Sequence, residues 1–447
     1  MLPHSFDELI HPHIPTGSPL VVIYSAQSSV RLHYVCEFIF NGVLRLPFQI
    51  TDNKAIALAH TGIVITYDTE PLNGVHLVPG SLLFESEVNP TYQLPVTSSV
   101  KALVEKEMDL FSAVFWFISR YEEWQPFVVD AHGRFGSKNS ALYSTNELEV
   151  PVVDVWINQF RNKIQEQYPT FKLPPKVLRL VSTIDVDNLF AYQHKPLWRR
   201  LGASWKDRIN GRTQINEARK AVLAGKEADP FDVYDEVSQF CANHHIPLAW
   251  FFLMRGGTRY DRTVTNLSAF KAPMAAAVRN GASIGLHPSY YSQYNPGQLG
   301  AEFDRFQAVS GTDVRYSRQH FLRYDIRWTP QVLVASGVKV DFTMGFSDRS
   351  GFRAGTSHVF KMFDFENETI LPLYAVPFCA MDGAYSEQAA SAEEALKQLK
   401  ILAETIREVS GNFITVYHER SFDDLLYKGF KKTYYDLHRE LSPLAIW

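Results

Sequence analysis

The sequence predicts an α/β protein of two domains, the second of which contains a parallel sheet. Three observations lead to this prediction. The chain of 447 residues is longer than one ordinary domain. Three prolines, at positions 169, 174 and 175, fall within seven residues, and such a run interrupts helices and central strands. After this run, apolar strands alternate with helices. We therefore expect an N-terminal domain over residues 1–172 and a larger domain over residues 173–447.

The N-terminal segment predicts a smaller α/β or α+β domain. Apolar runs and helical periodicity predict strands at residues 19–24 and 62–67 and helices at residues 29–40, 101–124 and 153–167. The segment has no pattern typical of an active site. Its mixed-charge run at residues 120–123 could contact a partner, although a solvated helix end explains it more simply.

About seven strands, separated by helices, are expected after the proline run. They cover residues 178–185, 247–253, 283–287, 313–318, 338–342, 371–378 and 413–417. The last intervening helix begins at a capping box, Ser391 with Glu394. This alternation predicts a parallel sheet, either closed as a barrel or doubly wound. In both architectures ligands bind at the carboxyl ends of the strands.

Polar side chains suited to catalysis or metal binding follow five of these strands. They are Asp185 and Asp187, His287, Arg318 and His320, Asp341, and His418. Two carboxylates at one strand end can divide the work of hydrolysis, since one binds a divalent metal while the other takes a proton from the attacking water. Each residue alone also fits a polar turn or a hydrogen-bonded core histidine. Their recurrence at strand after strand favours a catalytic or metal-binding rim.

These residues stand in an order that resembles the polysaccharide deacetylase family, the NodB-homology fold. The likeness covers roughly residues 176–420. The run from Thr183 to Asp187 resembles the opening Asp-x-Asp motif, and the His-x-Ser run at His287 resembles the family's metal motif. The family fold is a distorted seven-stranded (β/α) barrel, and its members hydrolyse N- or O-acetyl groups on sugars with a divalent ion. The resemblance implies this fold and this reaction, in a setting such as cell-surface polysaccharide metabolism.

The resemblance also implies a role for each strand-end residue. Asp185 would be the general base and Asp187 a metal ligand. Arg318 would correspond to the arginine that orients the base, and Asp341 to the aspartate that pairs with a distal histidine. That histidine would be His418, the general acid for the leaving amine or alcohol.

One position departs from the family pattern. The family has a second histidine four residues after the first, and Tyr291 takes its place here. Tyrosine, with a pKa of about 10, is a poor zinc ligand at neutral pH. We therefore expect His320 to complete the site with Asp187 and His287, and a divalent metal ion, zinc, to be the cofactor.

Two further residues are expected to contact substrate. One is Tyr291. The other is Arg353, in a glycine-rich loop at residues 345–356 whose cation could meet an anionic group, although a tight connection also explains the loop. This loop, together with residues 120–123 and 130–135, resembles a group of uncharacterised bacterial deacetylase-like proteins that have an extra N-terminal domain. That resemblance implies no activity for the N-terminal domain.

Composition and the first residues bear on partners and location. A net charge of −4 gives no general attraction for nucleic acid. The three cysteines are scattered, which fits a reducing compartment. No apolar run approaches the roughly 20 residues of a membrane span, and the first residues do not predict a secretion signal. We expect a cytoplasmic protein that acts on an acetylated sugar or glycan, with no nucleic-acid partner and no membrane span.

A basic insertion lies between Asp187 and Asp229. From Lys195 to Glu227 it contains nine lysines and arginines against three acidic residues. It could be a clamp for a phosphorylated or acidic glycan, with aromatic rings stacking on the sugar. A solvated helical hairpin is the simpler interpretation.

Two other functions fit the sequence. The missing second histidine would suit a metal-independent C–N hydrolase on the same barrel, which metal analysis would identify. A non-catalytic carbohydrate-binding or scaffold protein could keep a degenerate barrel. Binding alone, however, does not need a base, an orienting arginine and an acid together.

Overall fold

Two β-sheets organise the computed structural model, which describes residues 6–94, 109–195 and 197–446. The first sheet has four strands, β1 (Val21–Tyr24), β2 (Phe48–Thr51), β3 (Ile63–Tyr67) and β4 (Val75–Leu77). They are all parallel, in the order β2-β1-β3-β4. The N-terminal half is therefore of the α/β type, the first of the two classes expected.

Seven described α-helices precede the second sheet. They span Phe6–Ile10, Val30–Cys36, Lys54–Ala59, Leu110–Ile118, Tyr121–Trp124, Ala141–Ser144 and Val152–Gln167. The second continues as a π-helix, Glu37–Leu44. The helix predicted at residues 101–124 is found as two short helices, because Arg120 adopts the left-handed conformation (φ 58°) between them. Residues 101–108 of that prediction lie outside the described residues.

The second sheet has nine described strands. They are β5 (Arg179–Val186), β6 (Leu248–Phe252), β7 (Ser283–Leu286), β8 (Tyr316–Ser317), β9 (Val340–Asp341), β10 (Phe360–Asp364), β11 (Thr369–Ala375), β12 (Ala380–Met381) and β13 (Asn412–His418). Their order is β10-β11-β9-β8-β7-β6-β5-β13-β12, and only the β10–β11 pair is antiparallel. The mixed α/β class is confirmed.

The seven-strand count is not confirmed. All seven predicted segments contain strands, but β10 and β12 add two more. The sequence pattern missed both β10 and the two-residue strand β12. Within the described part of the chain β10 and β12 lie at opposite edges of the sheet and do not pair with each other.

Helices connect the strands of the second sheet. They span Leu197–Ile209, Thr213–Leu223, Tyr234–Asn243, Lys271–Arg279, Pro296–Ser310, Thr329–Ala335, Asp382–Gln388, Ala392–Glu408 and Phe430–Leu441. The predicted cap is present, since Ser391 Oγ accepts a hydrogen bond from the backbone N–H of Glu394 at 3.2 Å. In the described ranges, no helix combines the length and apolar character needed to cross a bilayer.

Parallel pairing brings the carboxyl ends of the central strands to one edge of the sheet. β5 lies between β13 and β6, and the register places His418 opposite Asp185. β7 and β8 follow on the other side of β6. The polar residues after these strands therefore converge, as the parallel sheet predicts.

The two halves of the chain share one hydrophobic core and a buried ionic contact. Arg353, only 1% exposed, donates from Nε and Nη2 to the carboxylate of Glu123 at 2.8 and 2.5 Å. Glu123 also accepts from Nε of Arg120 at 2.8 Å. Burial raises the pKa of Glu123, but the two guanidinium groups outweigh it and hold the pKa below its usual value. The boundary at residue 172 stays a prediction, because apolar residues of both halves belong to the same core.

Two expectations are therefore wrong. Arg353 does not contact substrate, because it neutralises a buried carboxylate of the N-terminal half. The run Arg120–Glu123 is not a solvated helix end, since Arg120 and Glu123 are buried at the contact between the halves. The glycine-rich loop that carries Arg353 resembled a substrate-binding loop in sequence, but its arginine pairs with Glu123, 230 positions away.

Candidate metal centre

A cavity of about 500 Å³ opens at the carboxyl ends of the central strands. Its lining includes five of the predicted site residues, Asp185, Asp187, His287, His320 and His418. Arg318 and Asp341 are buried and do not line the cavity. Five of the seven predicted strand-end residues therefore line one pocket.

Three of these residues converge on one point. Oδ1 of Asp187 lies 3.4 Å from Nε2 of His287 and 3.3 Å from Nε2 of His320. The ligand atoms of the three side chains all lie within 4.8 Å of one another. They are a group of mixed oxygen and nitrogen donors of the kind that binds zinc.

The hydrogen bonds of the two histidines orient Nε2 towards this point. Nδ1 of His287 lies 2.5 Å from the carbonyl oxygen of Arg318, and Nδ1 of His320 lies 2.9 Å from Oδ1 of Asp261. Each Nδ1 must therefore carry the hydrogen, so the neutral ring has its lone pair on Nε2. Second partners of this type fix the tautomer of metal-binding histidines. Asp261 was not predicted, because it lies in the loop after β6, beyond the end of the strand.

Oδ1 of Asp187 is buried and accepts no hydrogen bond from the residues that the structure describes. A buried carboxylate oxygen without a partner is costly unless a cation neutralises it. Burial lowers the pKa of His320, but Asp187 and Asp261 outweigh it and raise the pKa to about 9. The carboxylates of Asp187 and Asp261 thus favour a positive charge on the imidazole of His320. A divalent ion, when bound, would replace the proton that gives the imidazole this charge. The residues fit a metal ion.

The far side of Asp187 is held by Glu419 and Arg420, in the 3-10 helix that directly follows β13. Oδ2 accepts a hydrogen bond from Nη1 of Arg420 at 2.5 Å. The backbone N–H groups of Asp187 and Asn188 donate to Glu419 at 3.0 and 3.1 Å. Burial and Asp187 raise the pKa of Glu419 to about 7. Sequence reasoning missed both Arg420 and Glu419, although they directly follow the predicted His418.

Asp185 and Arg318 form a buried pair. Nη1 of Arg318 donates to Oδ1 of Asp185 at 2.8 Å. The guanidinium is also fixed by Oγ1 of Thr183 at 2.8 Å and by the carbonyl oxygen of Phe342 at 2.9 Å. Oδ2 of Asp185 lies 3.9 Å from Nε2 of His287, beside the metal-binding point. An arginine therefore fixes a carboxylate next to the three converging side chains.

His418 pairs with Asp382. Its Nδ1 lies 2.6 Å from Oδ1 of Asp382, and its backbone N–H donates to Oδ2 at 2.7 Å. Burial and the Arg420 guanidinium lower the pKa of His418, but the carboxylates of Asp382 and Asp187 outweigh them, so the pKa is raised. Burial raises the pKa of Asp382, but His418, Arg420 and the hydroxyl of Ser421 outweigh it and lower this pKa to about 2. The pair therefore favours the protonated form of the imidazole.

The expected pairing of Asp341 with His418 is wrong. Asp341 instead accepts from Oγ of Ser317 at 2.6 Å and from the backbone N–H of Thr343 at 2.9 Å. The strand order gives the reason, because β9 lies five positions from β13, whereas β12, which Asp382 follows, is its direct neighbour.

Tyr291 does not line the cavity and is 48% exposed. Its ring contacts Tyr290, with centroids 5.1 Å apart. Tyr260 lines the cavity instead and stacks on Tyr290 at 4.0 Å. Tyr291 therefore lies outside this cavity, and its contact with substrate stays a prediction. Tyr260 lies in a loop that the strand-end pattern did not single out.

The N-terminal half supplies part of the same cavity. His132 and Arg134 both line it. Nδ1 of His132 lies 3.1 Å from the hydroxyl of Tyr290, and Nη1 of Arg134 donates to the carbonyl oxygen of Phe321 at 2.7 Å. Phe321 has a φ of 60°, which is strained for a bulky residue and occurs immediately after His320. Arg134, from the N-terminal half, thus holds the turn at Phe321 that follows His320.

The family model that matches this chain covers only its N-terminal half. The family described as "Family of unknown function (DUF7033)" matches residues 21–169. No curated protein matches the chain.

Solved structures show a distant likeness. A structure described as a candidate polysaccharide deacetylase from Mycobacterium smegmatis is 12% identical, with a TM-score of 0.39, over 60% of this chain and 85% of that one. Peptidoglycan deacetylase PdaC from Bacillus subtilis is 8% identical, with a TM-score of 0.29, over 60% and 85%. A polysaccharide deacetylase from Bacillus cereus is 10% identical, with a TM-score of 0.28, over 61% and 92%. Because the identities and scores are low, function has to be argued from this chain's own residues.

Proposed function

We propose that this chain is a metal-dependent hydrolase that removes acetyl groups from a carbohydrate, as an N- or O-deacetylase. One observation carries the proposal: a fixed carboxylate, a three-residue metal-binding point and a fixed imidazole face the same cavity. A binding protein would not need these three devices together. The acetylated-sugar substrate follows from the motif resemblance around Asp185, Asp187 and His287.

The metal ligands in this proposal are Asp187, His287 and His320. Two imidazole nitrogens and one carboxylate oxygen are the ligand types of catalytic zinc sites, which keep a position open for water or substrate. When bound, the ion would supply Lewis acidity at the acetyl carbonyl. Arg420 keeps Asp187 in place through Oδ2, so that Oδ1 remains directed to the histidines.

Asp185 is the general base. Arg318 donates a hydrogen bond to one carboxylate oxygen and fixes the rotamer, so the second oxygen can accept a proton from the attacking water. The water oxygen bonds to the acetyl carbon, and the bond from that carbon to the sugar nitrogen or oxygen then breaks. Acetate is one product and the free amine or hydroxyl is the other.

His418 is the general acid. Asp382 accepts its Nδ1 hydrogen and favours the protonated imidazole, so Nε2 can give its proton to the leaving group. Nε2 lies 3.9 Å from Oδ2 of Asp187, which places this proton beside the metal-binding point. Base and acid are thus held by separate partners, Arg318 and Asp382.

We also propose that the aromatic wall formed by Tyr260 and His132 contacts the sugar. Aromatic rings offer flat apolar faces with polar edges, which suit a sugar ring. Tyr260 lies in the cavity lining and is only partly buried. The N-terminal half would thereby contribute to substrate binding through His132.

The test is acetate release from acetylated oligosaccharides by protein stripped with a chelator and reloaded with zinc. We expect activity only in the zinc-loaded protein, and a fall of about 100-fold or more in Asp185→Asn with zinc content unchanged. Asp304→Asn, at an exposed carboxylate outside the cavity, is the matched control and should keep full activity.

Two results would contradict the proposal. Turnover that survives complete metal removal would identify a metal-independent C–N hydrolase on the same scaffold. Binding of glycan without turnover of any acetylated sugar, in the zinc-loaded protein, would identify a carbohydrate-binding or scaffold protein.

A further inference from the structure

The helix Leu197–Ile209 presents a stripe of large apolar side chains to solvent. Leu197, Leu201, Trp205 and Ile209 are 67%, 64%, 70% and 63% exposed. They recur every four residues, and at about 100° per residue they occupy an arc of about 120° on the helix. Four such side chains in one stripe are far more than the scattered exposed apolar residues of an ordinary surface.

The helix is attached through a different face. Asp207 pairs with Arg219 of the next helix, Thr213–Leu223, and Nδ2 of Asn216 donates to the carbonyl oxygen of Ser204 at 3.2 Å. Ser204 and Asp207 fall outside the arc of the apolar stripe. The anchoring contacts therefore lie to one side of the stripe, which itself stays exposed to solvent.

The second helix fixes this pair to the body of the protein. Val222 packs in a small core with Ala191, Tyr192 and Phe231. The carboxylate of Asp229 accepts from the backbone N–H groups of residues 191, 192 and 193 at 2.7, 2.9 and 3.1 Å. The insertion is thus clamped where it leaves and rejoins the fold, and the exposed stripe is a feature of the folded chain.

Charge distinguishes the insertion from the rest of the molecule. Residues 195–227 carry nine basic and three acidic side chains, a net charge of +6, in a chain whose total is −4. One of the three acids, Asp207, is buried in its pair with Arg219. Lys206, Arg208 and Arg212 are exposed. Positive charge therefore lies beside and within the apolar stripe, since Lys206 is about 60° past Ile209 and Arg208 falls inside the arc.

We propose that the helix Leu197–Ile209 binds the surface of an anionic lipid bilayer. An apolar stripe with leucine and tryptophan, accompanied by lysine and arginine, is the pattern of a helix that lies in the membrane interface. The leucine side chains would enter the acyl boundary, and Trp205 would lie at the headgroup level. The basic residues would attract anionic headgroups.

Charge argues against a second copy of this chain as the occupant. Two copies that met through their stripes would bring two regions of net charge +6 together, and like charges would oppose the contact. An anionic bilayer offers both an apolar layer and opposite charge.

The position of the insertion relates membrane binding to the candidate site. It follows β5 directly, after Asp187, at the edge of the sheet where the cavity opens. Membrane binding would hold that edge near the lipid surface. The interaction is nevertheless separate from catalysis, since none of the stripe residues lines the cavity.

Vesicle flotation of the full chain tests the proposal. We expect the protein to float with vesicles of phosphatidylcholine and phosphatidylglycerol, not with phosphatidylcholine alone, and to dissociate as salt is added. The double variant Leu201→Ser, Trp205→Ser should lose at least about ten-fold in affinity, because most of the inserted apolar area is removed. Ile401→Ser, at another exposed apolar residue, is the matched control and should bind as the wild type does.

Other results would overturn the proposal. Failure of the wild type to float with anionic vesicles would do so, as would undiminished binding by the double variant. Dimers in light scattering that the double variant dissociates, without vesicle binding, would show that a second copy covers the stripe. Circular dichroism and acetate release of the double variant establish that it is folded, since both should match the wild type.

Discussion

Asp261 accepts a hydrogen bond from Nδ1 of His320 at 2.9 Å. This bond leaves Nε2 of His320 3.3 Å from Oδ1 of Asp187, beside the second histidine, His287. In the proposed metal centre the third ligand is His320, which lies in the short helical turn after β8. The carboxylate of Asp261 supports this role, because it fixes the tautomer and orientation of the ring.

Asp261→Asn should weaken zinc binding by about ten-fold or more, because the asparagine oxygen accepts the same hydrogen bond without the negative charge that makes the imidazole a better ligand. Isothermal titration with zinc on the stripped protein measures the change. Asp304→Asn, which alters an exposed carboxylate, should leave the affinity unchanged. Equal zinc affinity in Asp261→Asn and the wild type would show that His320 is not a ligand.

Asp382→Asn should lower kcat by about 100-fold, because the protonated form and orientation of His418 both depend on that carboxylate. Zinc content should not change, since Asp382 is not a ligand. Asp341→Asn is the informative comparison, as both aspartates are buried but only Asp382 contacts His418. A large loss of kcat in Asp341→Asn, with Asp382→Asn unaffected, would restore the pairing that the motif resemblance implied.

His132→Ala should raise KM by about ten-fold with a smaller change in kcat, because the imidazole is part of the proposed aromatic wall and is not the base, the acid or a metal ligand in the proposal. Steady-state kinetics of acetate release separates the two parameters. The variant should keep its zinc and its unfolding midpoint. An unchanged KM would mean that the N-terminal half takes no part in binding the sugar.

Glu123→Gln should destabilise the protein by about 3–5 kcal/mol, because it leaves Arg120 and Arg353 buried without their shared counter-charge. Urea unfolding followed by circular dichroism gives the free energy. Glu404→Gln removes the partner of Arg407 in an exposed pair and should have no measurable effect. A neutral result for Glu123→Gln would mean that the two halves do not depend on this contact.

Stability should fall as the pH is lowered from about 6.5 to about 4, in part through His438. Burial, which outweighs the hydrogen bond to the carbonyl oxygen of Tyr434, lowers the pKa of His438 to about 4. In this window the unfolded chain binds a proton at this residue and the folded chain does not, so its contribution is complete above about pH 6.5 and is lost as the pH falls through the folded value. The loss amounts to about 3 kcal/mol.

Urea unfolding of metal-free protein at a series of pH values checks this contribution. His438→Gln should be less stable at neutral pH but should show a shallower dependence on pH between about 4 and 6.5. His13→Gln, at an exposed histidine, should keep the wild-type slope. Identical slopes for His438→Gln and the wild type would refute the assignment.

The residues that the sequence predicted are those for which strand periodicity is sufficient. Asp185, His287 and His418 each end a buried run, and parallel pairing brings such ends together whatever lies between them. The local sequence pattern was therefore sufficient to predict a site at the carboxyl ends of the strands, without knowledge of long-range contacts.

The residues that the sequence missed depend on contacts between distant segments. Asp382 follows β12, which the apolar pattern did not single out, and Asp261 lies in an irregular loop. Arg353 was misassigned because its glycine-rich loop looked like a binding loop, whereas its partner Glu123 is 230 residues away. Pairings of this kind follow from the packing of the two halves, which no local pattern encodes.

The most direct test of the metal centre is a crystal structure of the zinc-loaded protein with anomalous data at the zinc edge. We predict one peak bound by Nε2 of His287, Nε2 of His320 and Oδ1 of Asp187, at distances of about 2.0–2.2 Å. A peak elsewhere, or a fully loaded crystal in which His320 points away from the ion, would contradict the three-ligand centre.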